Sequence, residues 1–335
     1  MTTLNIRTLT LPTQWHLDTV KDQAGDLKLG VWDLTGAPEG LSEAEVEAVV
    51  FHHPAGEAGK QRLATLPNLK LIQTQSTGYD GFIEAGRGAA VASAYGLHAG
   101  PTAELTLGLI LTAQRGLDHF ARDQAEHVWR PFTTPGLLDR KVLMIGTGGV
   151  GAAIAERLAP FGVELTRVGT RARDDGHGHV HGADELPALL PAAEIVILIT
   201  PLNDATRGMV NADFLARLPD GALVVNVARG AVVDTDALLA ELRSGRLRAA
   251  LDVVDPEPLP ADHPLWDAPG LCLVPHVGGR SEALKPRLAT YLREQVRRIA
   301  NGEPLQNLVH PGNHGESRPK PGDTPTTQAL LTVHC

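Results

Sequence analysis

An apolar run, Val142-Leu-Met-Ile, opens onto Gly146-Thr-Gly148-Gly-Val-Gly151 and passes directly into Ala152-Ala-Ile-Ala-Glu-Arg-Leu. Strand, glycine-rich turn and helix in this order form the fingerprint of a dinucleotide site; a purely structural glycine turn is the plainer alternative. Gly146 admits the tight turn, Gly148 lets a backbone approach a pyrophosphate, and Gly151 lets the helix pack closely on the strand. Phosphates would rest on the N–H groups at the helix start, near Gly149 and Val150, where the helix dipole favours negative charge.

From Lys141 onward, strands and helices alternate in doubly wound fashion. The strands are read at Val142–Ile145, Glu164–Val168, Ile195–Thr200, Ala222–Asn226, Ala249–Val253 and Leu271–Val274. They are apolar without polar alternation, which fits a parallel sheet buried on both faces. Asp236 to Gly245 reads as a helix ending on a glycine cap.

Residues 1–97 also alternate short apolar runs with turn signals, with strands at Val46–Phe51 and Leu69–Gln73. A helical pattern from Thr102 to about Val128, with Pro101 placed where a first turn tolerates it, is expected to connect two domains. A second helix, Ser281–Ala300, is expected to return to the first domain. The expected organisation is a substrate domain of residues 1–98 and 283–312 and a dinucleotide-binding domain of residues 99–282. Residues 313–335, rich in Gly, Pro, Thr and Ser, are expected to be a disordered tail.

At 335 residues the chain is long enough for two cores, and 43% apolar with 21% charged residues is ordinary for a globular protein. The net charge of −9 argues against nucleic acid as a partner. No apolar run is long enough to span a bilayer, so no membrane partner is expected. Two cysteines, Cys272 and Cys335, supply neither a disulfide framework nor a zinc ribbon, and a cytoplasmic location is expected.

Three polar residues follow strand ends in the later half, where open α/β sheets place their ligands. Arg229 follows Ala222–Asn226, Glu257 follows the next strand, and His276 follows the last. A guanidinium there could clamp a carboxylate bidentately. An imidazole could pass a proton to or from an oxygen, with Glu257 orienting it and stabilising the imidazolium. Each alone is more often structural; their shared edge makes them candidates.

Further segments add to this pattern: Leu66-Pro-Asn-Leu-Lys-Leu-Ile-Gln-Thr-Gln-Ser-Thr-Gly-Tyr-Asp80, Thr200-Pro-Leu-Asn-Asp-Ala-Thr-Arg-Gly208, Asn226-Val-Ala-Arg-Gly230, Leu251-Asp-Val followed by Glu257-Pro258, and Pro275-His-Val-Gly-Gly279. With the glycine fingerprint they make the chain, over roughly residues 45–310, resemble the D-isomer-specific 2-hydroxyacid dehydrogenase family, in particular its glyoxylate/hydroxypyruvate reductase branch. The resemblance implies a Rossmann-type doubly wound parallel sheet plus a second, smaller flavodoxin-like α/β substrate domain, and a homodimer, expected to be built on the helix after Pro101.

The resemblance also implies roles. Arg229 would bind and polarise a 2-keto acid, and His276 would be the general acid/base paired with Glu257. Backbone N–H groups near Thr77 and Gly78 would hold the substrate carboxylate. Asp252 would face the nicotinamide carboxamide, Thr102, Ala228 and Gly278 would line the ring, and Pro201 and Thr206 would flank the adenosine half. The expected partner is a small 2-keto or 2-hydroxy acid, with glyoxylate or hydroxypyruvate reduction leading. Oxidation of phosphoglycerate, phosphite or formate, or a corepressor-like nucleotide sensor on the same fold, are the alternatives.

One position departs from NAD-using relatives, which carry an acidic residue after the second strand to bond the ribose 2′-OH. Here Gly169 is followed by Thr170, Arg171 and Arg173, which would attract a 2′-phosphate. NADP is therefore expected over NAD, with Asp174 and Asp175 partly cancelling the arginines as the plainer alternative. His177, His179 and His181 alternate as a metal-binding loop might, but no carboxylate or cysteine pattern accompanies them, so no metal is expected.

Overall fold

The computed structural model describes residues 4–313. The chain divides into two compact units, one containing residues up to Tyr95 together with those from Lys285 on, the other Gly96–Leu284. The expected borders at 98/99 and 282/283 differ from these by two or three residues. The tail expected to be disordered lies outside the described residues from position 314 on.

The first unit is built on strands β1 (Thr8–Leu11), β2 (Lys28–Val31), β3 (Ala48–Phe51), β4 (Leu71–Thr74) and β5 (Ala90–Ala92). Their order is 2-1-3-4-5, all parallel, and β14 (Leu308–His310) adds antiparallel to β5. This is the flavodoxin-like order, whose ligand edge lies beyond the strand C-termini. Strands β3, β4 and β5 are buried along their whole length, so apolar runs here build a sheet covered on both faces. The helix Leu284–Ala300, three residues shorter at its start than expected, is tied to this sheet. Tyr291 donates its hydroxyl to the Ser93 carbonyl at 2.7 Å, and Gln295 bonds Gln73 inside the core at 2.6 Å.

The second unit holds β6 (Lys141–Ile145), β7 (Glu164–Val168), β10 (Ile195–Leu198), β11 (Leu223–Asn226), β12 (Arg248–Leu251) and β13 (Leu271–Leu273). They form one parallel sheet in the order β13-β12-β11-β10-β6-β7. The two short strands between β7 and β10, β8 (Arg173–Asp175) and β9 (Gly178–Val180), pair as an antiparallel ribbon. His181, directly after β9, forms a parallel bridge with Val168. The ribbon thus occupies the outer position beside β7 that a third full strand holds in a six-stranded dinucleotide sheet.

One core, with Val196, Leu198, Val224 and Leu251, lies on one face of this sheet; another, with Met144, Ile154, Ile197 and Val225, lies on the other. The single helix expected from Thr102 to Val128 is two, Ala99–Arg115 and Leu117–Ala125. Gly116 breaks it by adopting φ +62° as the C-cap of the first. No helix among the described residues is long and apolar enough to cross a membrane.

Candidate active site

The glycine turn has the geometry its sequence demands. Gly146 sits at φ +117°, and a Cβ there would overlap the Ile199 carbonyl. A Cβ at Gly151 would overlap the carbonyl of Gly146, so turn and helix touch backbone to backbone. Around Gly148, by contrast, the space is open. The helix Gly149–Leu158 starts there with no side-chain cap, and the first-turn N–H groups of Val150 and Gly151 have no intrahelical acceptor. Just past β10, the Thr200 hydroxyl is buried with no hydrogen-bond partner. An open cradle, helix N–H donors and an orphaned hydroxyl fit a bound pyrophosphate. Nearby, the Thr206 hydroxyl donates to the Pro201 carbonyl at 2.7 Å, closing the loop that was expected to flank the adenosine.

Past the end of β7, Arg173 donates to the Thr147 hydroxyl at 2.8 Å and reaches back over Gly169, spanning the turn where an acidic residue was sought. Thr170 and Arg171 are exposed beside it. The adjacent carboxylates bond partners other than these arginines. Asp175 takes two bonds from the nearly buried Arg167 guanidinium at 2.9 and 3.0 Å, and Asp174 accepts from His179 at 2.9 Å. Arg167 holds the Asp175 carboxyl down to about 2.

Beyond β11, β12 and β13 the structure joins the polar candidates. His276 Nδ1 lies 2.8 Å from Glu257 Oε2, and Glu257 Oε1 accepts the Val254 N–H at 3.0 Å. Burial alone would push the Glu257 carboxyl up; its bonds to His276 and Val254, with the nearby Arg229 charge, hold it below the usual range instead. His276 stands in the left-handed region at φ +51°, its N–H bonded to the Asp252 carbonyl at 2.8 Å. This strained backbone projects a half-exposed imidazole from a fixed point.

Asp252 is 3% exposed and accepts N–H bonds from Val277 at 2.6 Å and Gly278 at 3.0 Å. Burial raises its carboxyl above the ordinary value despite these bonds. A Cβ at Gly278 would lie 2.7 Å from Asp252 Oδ2 and 3.5 Å from the Thr102 hydroxyl, so Thr102, Asp252 and Gly278 meet at one point. Ala228 is buried beside the β11 end, and its N–H bonds Asn226 Oδ1 at 3.0 Å.

Two residues given no role from sequence support this arrangement. Buried Asn226 accepts from Ala228 and donates to the Arg229 carbonyl at 3.0 Å, fixing the backbone from which the guanidinium projects. Its signal was present in Asn-x-x-Arg-Gly. His98 stacks so closely on Gly279 that a Cβ would overlap its ring, a contact no local pattern announces.

In the first unit, Thr77 and Gly78 follow β4 in a loop held at several points. Ser76 donates its hydroxyl to the Gly78 carbonyl at 2.6 Å, and the Ala94 N–H bonds the Ser76 carbonyl at 2.8 Å. The Thr77 hydroxyl is buried without a partner. His179, His181 and Glu185 come together in the second unit, so the fold supplies the carboxylate that the sequence reading did not find near these histidines.

The family model described as D-isomer specific 2-hydroxyacid dehydrogenase, NAD binding domain, matches residues 107–278. A glyoxylate reductase from Thermofilum pendens is 34% identical over 256 residues, covering 73% of this chain and 76% of the relative. The human glyoxylate reductase/hydroxypyruvate reductase is 31% identical over 249 residues, covering 71% and 76%. A crystal structure of a D-isomer specific 2-hydroxyacid dehydrogenase from Xanthobacter autotrophicus, described as a complex with NADPH and MES, superposes with a TM-score of 0.76 at 31% identity, over 92% of this chain and 99% of that one. Fingerprint, fold order and relatives agree: the chain belongs to the D-isomer-specific 2-hydroxyacid dehydrogenase family, enzymes dependent on NAD(P).

Proposed function

We propose that the chain reduces glyoxylate or hydroxypyruvate with NADPH. The observation that carries the reaction is the 2.8 Å bond between His276 Nδ1 and Glu257 Oε2, with the Arg229 charge acting on the same carboxylate. Held at Nδ1, His276 keeps Nε2 for the substrate oxygen. When bound, the nicotinamide supplies or accepts the hydride at the substrate's C2. Arg229 polarises the keto oxygen, His276 delivers the proton to it, and Glu257 offsets charge on the imidazole. In the first unit, the N–H groups of Thr77 and Gly78 bind the substrate carboxylate. In the second, Gly146, Gly148, Gly149, Val150 and Gly151 seat the pyrophosphate, Pro201 and Thr206 flank the adenosine, and Thr102, Ala228, Asp252 and Gly278 hold the nicotinamide end.

The preference for NADPH rests on Arg171, Arg173 and Thr170 at the end of β7, where the neighbouring carboxylates are engaged elsewhere. The Xanthobacter relative is described with NADPH, and the archaeal and human relatives are named for glyoxylate and hydroxypyruvate. Oxidation of NADPH and NADH, followed side by side with each acid, tests the reading. Turnover of either acid with NADPH preferred is the expected outcome; cofactor binding without turnover of either acid overturns it.

The exposed apolar side chains Leu117, Val128, Trp129, Phe132 and Leu138 support a homodimer built on the segment after the helix Ala99–Arg115, which sedimentation would test. A cytoplasmic location accords with the low cysteine content.

A further inference from the structure

We propose that His179, His181 and Glu185 form a binding site for one divalent transition-metal ion of the zinc class on the outer edge of the dinucleotide sheet. Each residue offers a donor atom, and the three donors lie within 4.8 Å of one another. Donors bound 2.0–2.2 Å from a tetrahedral ion stand roughly 3.3–3.5 Å apart, so an ion takes the place of the proton between His181 Nδ1 and Glu185 Oε2 and opens their 2.8 Å separation. His179 and His181 are two apart around the end of β9, and their rings meet edge to face with centroids at 4.6 Å. Glu185 comes from the next element, the short 3-10 turn Ala183–Glu185, which folds its carboxylate back onto the Gly182 N–H at 2.8 Å and onto His181 Nδ1 at 2.8 Å.

A second carboxylate orients the cluster from outside. Asp174, opposite His179 in the ribbon, accepts from His179 Nδ1 at 2.9 Å and leaves Nε2 for an ion. A carboxylate behind a ligating imidazole fixes its tautomer and raises its basicity. The site is half-exposed, so an ion and the waters completing its shell can enter. Two imidazoles and a carboxylate suit zinc, cobalt or nickel and fit magnesium or calcium poorly.

Position gives the site a consequence. His181 is bonded into the sheet edge through the Arg167 carbonyl and the Gly169 N–H. An ion joining β9 to the turn at Glu185 braces the base of the ribbon, where the other strand begins with Arg173 opposite Val180.

Tag-free protein, dialysed against a chelator, is titrated calorimetrically with zinc chloride near neutral pH. The expected result is one equivalent bound with a low-micromolar dissociation constant, lost in His179→Ala and in His181→Gln, and retained in His177→Ala. Asp174→Asn weakens the binding by about 10–100-fold, as loss of an outer-shell partner does. Zinc also slows amide exchange across residues 173–181 in the wild type and not in His179→Ala, whose circular dichroism and melting without metal match the wild type. Absence of zinc binding, or equal stoichiometry and affinity in the His179 and His181 variants, overturns the site and leaves two surface hydrogen bonds.

Discussion

Asp175 grips Arg167 through both carboxylate oxygens, at 2.9 and 3.0 Å, while Arg173, two residues before it, bonds Thr147. Charge-assisted forks of this kind are strong and directional, and the Arg167 side chain is almost buried. Arg173 is left bonded to neutral Thr147 at the edge of the glycine turn. A 2′-phosphate arriving there meets positive charge that no ion pair among the described residues has claimed. Arg173→Ala and Arg171→Ala should each raise KM for NADPH by about 10–100-fold, the worth of a hydrogen bond to a charged group, while KM for NADH changes little. Steady-state kinetics with both cofactors checks this; equal changes for the two would remove the assignment.

The pairing of His276 with Glu257 predicts unequal losses. His276→Gln should lower kcat by about 10²–10⁴-fold, the usual worth of a positioned acid/base, with cofactor affinity preserved. Glu257→Gln keeps the shape but replaces an accepting carboxylate with a neutral amide, so kcat should fall while KM for cofactor stays. Against the push of burial, its bonds to His276 and Val254 hold the Glu257 carboxyl below its ordinary range, so its protonation is displaced to lower pH than that of an ordinary carboxyl. A rate profile between pH 5 and 9 in which Glu257→Gln alters neither kcat nor its pH dependence would contradict the pairing.

What could be read from sequence was whatever the backbone decides locally. The glycine turn was legible because Gly146 needs positive φ and Gly151 needs backbone contact, requirements only glycine meets. The buried strands were legible as unbroken apolar runs, although β10 stops at Leu198, two residues before the expected end. Gly116 gave the signal of a helix stop, yet the apolar spacing continued past it and concealed the break.

The β8–β9 ribbon was not legible, since Arg-Asp-Asp-Gly-His-Gly-His has no apolar alternation and is held by Arg167 from a neighbouring strand. Glu185 joined the histidines only once the turn after β9 folded its carboxylate back. The fates of Asp174 and Asp175 likewise depended on partners that charge counting could not assign.

The Asp252 carboxylate accepts two N–H groups, the partly buried one of Val277 and the buried one of Gly278. Asp252→Ala strands both, at about 1–3 kcal/mol for the buried Gly278 donor and less for the partly buried Val277 donor. The protein should melt several degrees lower, and the backbone following His276 should lose its anchor. Differential scanning calorimetry checks the first effect, and a fall in kcat with the His276 side chain intact checks the second. A melting temperature unchanged within error would show that water or backbone movement satisfies these donors.

His16 gives the first unit a pH-dependent stability. Its ring is buried between Thr13 Oγ1, 2.7 Å from Nδ1, and Gln75 Oε1, 3.0 Å from Nε2. The Gln75 amide nitrogen bonds the Phe51 carbonyl, which fixes Oε1 as the atom facing His16. The neutral ring therefore donates from Nε2 and accepts the Thr13 hydroxyl at Nδ1, and Gln75 in turn leads into the Ser76–Gly78 loop. Burial lowers the His16 value below 6.5, outweighing the hydrogen bond that the ring donates to Gln75, with the His52 and Lys285 charges adding to it. Between that depressed folded value and 6.5 the unfolded chain binds the extra proton, so stability falls as pH drops through this window and levels off below it. His16→Gln, which cannot titrate, should flatten the dependence of melting temperature on pH from 7.5 to 5.5. An identical slope in wild type and variant would mean that other groups set it.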